Sequence, residues 1–113
     1  MKITIPEIPP SLNKILRMHY HERDKENKKW AALIGYFCKN KDSFKKSKVT
    51  ITYFFPDNRR RDPDNFAGKF ILDGLTNAGV IEDDSFNHVE LELAGKVDKH
   101  NPRTEIKVEE AGK

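Results

Sequence analysis

The chain lacks the groups on which several protein classes depend. It has one cysteine, Cys38, among 113 residues, which excludes an internal disulfide and a zinc site built from several thiolates. No apolar run approaches the length of a membrane span, and residues 1–7 contain no apolar segment typical of a signal peptide. We therefore expect no membrane partner and a reducing, cytoplasmic location. Cys38 itself is expected to pack in the core and not to act as a nucleophile.

Several common cofactor and nucleophile motifs are also missing. The sequence contains no Walker A phosphate loop, no G-x-G-x-x-G and no G-x-S-x-G. A calcium-binding loop beginning at Asp62 fails because Phe66 occupies its fifth position. The histidines have no spacing that compels a zinc site. They are His19, His21, His88 and His100.

Charged residues, in contrast, are abundant and unevenly divided. They make up 35% of the chain, against 36% hydrophobic residues. Residues 1–61 carry a net charge of +9 and residues 62–113 carry −6, which gives +3 for the chain. This division favours a polyanion partner on one surface and a cation site on another, although ordinary solvated charge is the alternative. The length predicts a single domain, residues 1–113, with a modest core that a second subunit would help to stabilise.

Apolar periodicity predicts the order β-α-β-α-β-β. This order is typical of an α+β or α/β sandwich in which two helices cover a mixed, mostly antiparallel sheet. Ile3 and Ile5 indicate a first strand, residues 6–23 a long loop, and residues 24–41 a helix with Asp24 as its N-cap. The apolar stripe of this helix is expected in the core. It comprises Trp30, Leu33, Ile34, Phe37 and Cys38.

The second half of the chain continues the pattern. Residues 49–55 alternate as a strand, residues 63–78 form the second helix, and residues 89–93 and 104–108 alternate as the last strands. A turn is expected at residues 95–102. The second helix has an apolar face, made of Ala67, Phe70, Ile71, Leu75 and Ala78.

The richest chemistry lies just before this second helix, where Arg59, Arg60 and Arg61 precede Asp62 and Asp64. Arginines at such a position suit phosphate contacts. Asp62 precedes a proline, so its backbone is biased towards extended conformations, in which residues i and i+2 face the same way. Both carboxylates can then face one cation. The alternative is that Asp62 caps the helix and Asp64 is favoured by the helix dipole, which leaves the arginines unexplained.

Two further groups complete the inventory for phosphodiester cleavage. Lys69 precedes Asp73 by four residues, so it either forms an ordinary ion pair or places its ammonium near a scissile phosphate. Asp83 and Asp84 follow the helix and form either a solvated acidic turn or a further ligand for Mg²⁺. The long first loop adds candidate nucleic-acid contacts. These are Lys14, Arg17 and Tyr20.

Residues 59–86 resemble the RusA-like Holliday junction resolvases, which are crossover junction endodeoxyribonucleases. The matching motifs are Arg60-Arg61-Asp62-Pro63-Asp64-Asn65, Lys69, Asp73-Gly74-Leu75, Ala78-Gly79-Val80 and Asp83-Asp84. The segment Pro9-Pro10-Ser11-Leu12-Asn13 resembles the N-terminal signature of the same family. One departure concerns Lys69, which stands one residue further from Asp64 than the family pattern has it, with Gly68 in the usual slot.

The resemblance implies a RusA-like fold and a function. A bacterial or phage-encoded homodimer would cleave four-way DNA junctions with Mg²⁺, for which Mn²⁺ is the substitute. By motif position the metal ligands are Asp62, Asp64 and Asp84, with Asp83 as the alternative to Asp84, and Lys69 is the catalytic lysine. Two other functions stay open: a less selective Mg²⁺-dependent nuclease on flaps, branched DNA or RNA, and a junction-binding module without catalysis.

Overall fold

Alternating apolar residues build a four-stranded sheet. The computed structural model describes residues 1–38 and 42–111. The strands, in chain order, are β1 (Lys2–Ile5), β2 (Ser47–Phe55), β3 (Val89–Val97) and β4 (Arg103–Glu110). Their order in the sheet is β1-β4-β2-β3, with β4 antiparallel to both neighbours and β2 parallel to β3. The predicted α+β class with a mixed, mostly antiparallel sheet is therefore confirmed. Because β3 continues to Val97, the last turn is shorter than predicted.

The described residues form three helices where the sequence predicted two. The helices are α1 (Leu12–Arg17), α2 (Tyr20–Phe37) and α3 (Lys69–Asn77). The prediction of a long loop over residues 6–23 was wrong, because α1 and the first turn of α2 lie within that range. Ser11 caps α1 by accepting a hydrogen bond from the Lys14 N–H at 3.2 Å, and Ile15 is buried beneath the helix.

The start of α2 also differs from the prediction. The helix begins at Tyr20, and its N-cap is His19, whose Nδ1 accepts a hydrogen bond from the His21 N–H at 3.3 Å. The predicted cap, Asp24, lies inside the helix. The first turn was missed because its residues are exposed and polar, so they carry no apolar period. Residues 39–41 of the predicted helix lie outside the described residues.

The second predicted helix is two separate elements. A 3₁₀ turn at Pro63–Asn65 is followed by α3, and Gly68 separates them with φ of +84°. The positive φ favours glycine there, and a Cβ at Gly68 would lie 2.6 Å from Cδ1 of Ile51, so this methyl group would also have to move. The prediction of one helix over residues 63–78 was therefore wrong, and Ala67 is an exposed residue outside α3.

The helices pack on one face of the sheet and enclose the core. Gly74 permits close approach of α3 to α2, since a Cβ there would lie 2.6 Å from Cδ1 of Ile34. The buried side chains that fill this layer include Trp30, Ile34, Cys38, Val49, Ile51, Tyr53, Phe55, Phe70, Ile71, Leu75, Ile106 and Val108. Most predicted core residues are thus confirmed. Phe37 is the exception, because it lies at the exposed end of α2 and packs edge-on against Tyr36 at 5.3 Å.

No helix within residues 1–38 and 42–111 combines the length and apolar character required to cross a membrane.

Candidate active site

The segment from Asp57 to Gly68, here called the carboxylate loop, is organised around Arg61. Nη1 of Arg61 donates to the Asp57 carbonyl oxygen at 3.1 Å and to Asp57 Oδ1 at 2.9 Å. Its guanidinium lies 4.3 Å from the centre of the Phe55 ring, and its side chain is only 21% exposed. The hydrogen bond from Arg61 is the main reason that the pKa of Asp57 lies below its usual value. Arg61 therefore holds the loop to β2.

The other two arginines point to solvent. The Arg60 side chain is 88% exposed, and its Nε donates to Asp62 Oδ1 at 3.1 Å. Arg59 is also exposed, with Nε 3.4 Å from Asp57 Oδ2. Exposed ion pairs of this kind contribute little to stability, so these guanidinium groups can exchange partners at low cost. The three arginines, which the sequence presents as equivalent, thus divide into one structural residue and two solvent-facing cations.

Asp62 and Asp64 both lie at the exposed surface of the loop. Asp62 has the extended backbone that the following proline predicts, with φ of −100° and ψ of 140°. Its side chain makes no capping hydrogen bond to the described 3₁₀ turn, which excludes the capping alternative. The Asp64 carboxylate is exposed and has no hydrogen bond or ion pair with any described residue. These oxygens are available to a cation from solvent.

Lys69 and Asp84 line one open groove of about 950 Å³, whose floor is the start of β3. Lys69 is the first residue of α3, and its Nζ lies 3.5 Å from Asp73 Oδ2, so the i, i+4 pair is present. The two adjacent aspartates differ in position. Asp83 Oδ2 lies 3.8 Å from Nδ1 of His88, whereas Asp84 faces the groove.

A smaller hollow of about 60 Å³ lies further along β3. Asp62 lines this hollow together with Tyr53 and Phe66, and its floor is formed by residues 93–95, directly after the groove floor. The Tyr53 hydroxyl is buried there without a hydrogen-bond partner among the described residues, and burial raises the pKa of Tyr53. Both acidic segments therefore border the same edge strand.

The carboxylate loop offers as many carboxylates as a protein usually supplies to Mg²⁺, but these groups do not form a complete, preassembled metal site. In the part of the chain that the structure describes, no three His, Cys, Asp or Glu side chains stand close enough to share one ion. Mg²⁺ is usually bound through one or two carboxylates and keeps several waters, with substrate phosphates as further ligands. Asp62 and Asp64 supply that number of carboxylates.

The first helix is tied to the carboxylate loop. The backbone N–H of Asn13, in α1, donates to Asn65 Oδ1 at 2.9 Å, and Lys14 and Arg17 lie exposed on the same helix. Sequence analysis missed this role of Asn65. A signal was present, since both residues belong to the motifs that resemble one family, but nothing in their spacing shows that the two motifs touch.

A family model matches most of the chain. The family model of endodeoxyribonuclease RusA matches residues 11–109 of the 113. That range includes α1, the carboxylate loop, Lys69 and both adjacent aspartates. No curated protein shows significant similarity to the chain. Because the family match covers nearly the whole chain, the protein belongs to the RusA endodeoxyribonuclease family.

Proposed function

We propose that the protein is a Mg²⁺-dependent endonuclease that resolves four-way DNA junctions by cutting phosphodiester bonds. The observation that carries the proposal is the carboxylate loop, where Asp62 and Asp64 are exposed beside two solvent-facing arginines, and Asp62 lines a hollow on the same edge strand as the groove of Lys69 and Asp84. Membership of a family of endodeoxyribonucleases supports DNA as the substrate. The combination of acids, lysine and arginines supports hydrolysis of its backbone.

Asp62 and Asp64 are the proposed direct ligands of Mg²⁺. Bound there, the ion would activate water and polarise the scissile phosphate. Asp84 is the proposed third acid because it lines the groove together with Lys69, where its carboxylate would add negative charge to hold the ion. Asp83 lies beside His88 and is the weaker candidate. Mn²⁺ is the expected substitute, since it also suits carboxylate and water ligands.

The cationic side chains have separate tasks in this proposal. Lys69 directs its ammonium at the phosphate and stabilises the negative charge that develops on the phosphate oxygens in the transition state. Arg59 and Arg60 hold the DNA backbone close to the acids, and Lys14 and Arg17 extend that contact along α1. Because all four backbone-binding side chains are exposed, they can reach phosphates without rearrangement of the core.

The proposed active form is a homodimer. β3 is an edge strand, and Val97 at its end, outside the groove of Lys69 and Asp84, exposes apolar surface. A second copy would cover this surface, and a two-fold axis would present two sites to opposed strands of a junction. Sedimentation equilibrium should then give twice the 13.1 kDa chain mass, whereas a monomer at assay concentration would contradict the dimer.

Cleavage of a labelled four-way junction tests the function. Asp64→Asn should lower the single-turnover rate by about 100-fold or more, because loss of a metal ligand removes several kcal/mol of stabilisation. Asp24→Asn is the matched control: it removes the same charge from an exposed residue of α2 and should leave the rate unchanged. Melting curves of both variants establish that they fold.

The other outcomes separate the remaining functions. Paired nicks in the junction, lost in Asp64→Asn and without cutting of linear duplex, support a resolvase. Equal cutting of junction, flap and duplex indicates a less selective nuclease. Tight junction binding that persists in EDTA, with no nicks in Mg²⁺ or Mn²⁺, indicates a binding module. A folded Asp64→Asn protein with full activity contradicts the proposed metal site.

A further inference from the structure

The rings of three consecutive residues lie together at the exposed start of α2. The ring centres of His19 and Tyr20 are 4.7 Å apart, those of Tyr20 and His21 are 4.0 Å apart, and those of His19 and His21 are 5.0 Å apart with an angle of 24° between their planes. All three residues are exposed, and the Tyr20 side chain retains 63% of its accessible surface. We call these three rings the ring cluster.

The ring cluster has no packing role in the core. The hydrogen bond from the backbone N–H of His21 to His19 Nδ1 holds the His19 ring at the start of α2, and the rings of Tyr20 and His21 contact that ring. Its surroundings favour a polyanion on the α1 side, because residues 8–18 carry exposed cations and no acid, whereas on the α2 side Glu22 and Asp24 balance the cations. The nearby cations are Lys14, Arg17, Arg23 and Lys25.

The ring cluster lies close to the carboxylate loop. Asn13 contacts that loop through Asn65, and the cluster follows directly after the six-residue helix α1. At about 1.5 Å per residue the helix spans about 9 Å. Stacked nucleotides are separated by about 3.4 Å along one strand, so the cluster is within roughly three nucleotides of a phosphate held by the carboxylate loop.

We propose that the ring cluster is a binding site for an unpaired nucleobase of branched DNA. The inference rests on the proposed function and adds a source of structure selectivity to it. An aromatic ring can stack only on a base whose face is accessible, which a branch point offers and a continuous duplex does not. Because every base has such a face, the site would select for branching without selecting for sequence. Phosphate contacts from Lys14 and Arg17 would accompany the stacked base.

Binding measurements with Tyr20→Ala test the proposal. With EDTA present to prevent cleavage, this variant should bind a four-way junction at least about fivefold more weakly than wild type and bind linear duplex equally well. Tyr20→Phe should retain wild-type affinity because it keeps the ring. Tyr36→Ala is the matched control: Tyr36 is also 63% exposed, lies at the other end of α2, and should have no effect on either substrate.

A fluorescent base gives a second measurement. The emission of 2-aminopurine placed beside the branch point should be quenched by wild type and by Tyr20→Phe, and not by Tyr20→Ala. Equal junction affinities for wild type and Tyr20→Ala, or equal losses on junction and duplex, would overturn the proposal. If wild type resolves junctions while Tyr20→Ala is indistinguishable from it, the ring cluster has no such role and the proposed function stands. If wild type neither cuts nor prefers branched DNA, the proposed function itself fails.

Discussion

Two arginines lie over neighbouring phenylalanines of β2. Arg61 lies 4.3 Å from the centre of the Phe55 ring, and Arg103 lies 3.7 Å from the centre of the Phe54 ring. Successive side chains of a strand point to opposite faces, so one arginine is on the helical side of the sheet and the other on its outer side. Each also binds an aspartate that accepts backbone N–H groups in a tight turn.

The two turns differ in what surrounds the arginine. Arg103 donates to Asp98 at 2.7 Å and to Glu105 at 2.9 Å, and these hydrogen bonds hold the pKa of both carboxyls below their usual values. Both neighbouring carboxylates therefore stay charged and are paired with Arg103. Beside Arg61, only Asp57 is held in this way, while Asp62 and Asp64 face solvent. An arginine that lies over a phenylalanine ring and binds an aspartate therefore closes the turn before β4, and the same arrangement at Arg61 supports a loop with exposed carboxylates.

Replacing each arginine in turn gives the largest expected contrast. Arg61→Ala should lower the junction cleavage rate by about 10- to 100-fold, because a displacement of the acids by about 1 Å is sufficient for such losses. Arg103→Ala should leave the rate within about twofold of wild type. Both variants should lower the melting temperature by roughly 5 °C. Single-turnover rates measured well below both melting temperatures provide the comparison. Equal rate losses in the two variants would show that Arg61 has no particular role in positioning the acids.

Backbone conformation provides a second contrast between the turns. The carboxylate loop ends at Gly68 with positive φ, whereas none of the described residues 98–102 has positive φ. Gly68→Ala should destabilise the protein by about 1–2 kcal/mol through left-handed strain alone, with further loss from the contact with Ile51. Gly35→Ala is the control, since its Cβ meets nothing within 4 Å in α2, and it should stabilise by about 0.5–1 kcal/mol. Urea unfolding measures both. A neutral Gly68→Ala would contradict the preference for glycine.

The position of Gly68 also shows where sequence reasoning stopped. The strands were predictable because their alternation follows directly from burial of one face. The one-residue displacement of Lys69 was visible in the sequence, but the constraint on the residue before it was not: Gly68 has a left-handed backbone and lies against Ile51, which is far away in the sequence. Likewise, the three adjacent arginines look identical in the sequence, and only the contacts with Phe55 and Asp57 distinguish Arg61 from the other two. Such distinctions depend on tertiary contacts that no local pattern encodes.

Acid titration gives the smallest expected effect and compares the two turns directly. The pKa values of Asp57 and Asp98 are both lowered in the folded state, mainly by hydrogen bonds from Arg61 and Arg103. Each carboxylate therefore contributes stability that is present above its unfolded pKa, near 3.9, and is lost as the pH falls through the lower folded value. Melting temperatures measured from pH 6 to pH 2 should fall less steeply below about pH 4 for Asp57→Asn and for Asp98→Asn than for wild type. If either turn variant has the same acid slope as wild type, its arginine does not stabilise the charged carboxylate, and the structural equivalence of the two turns is wrong.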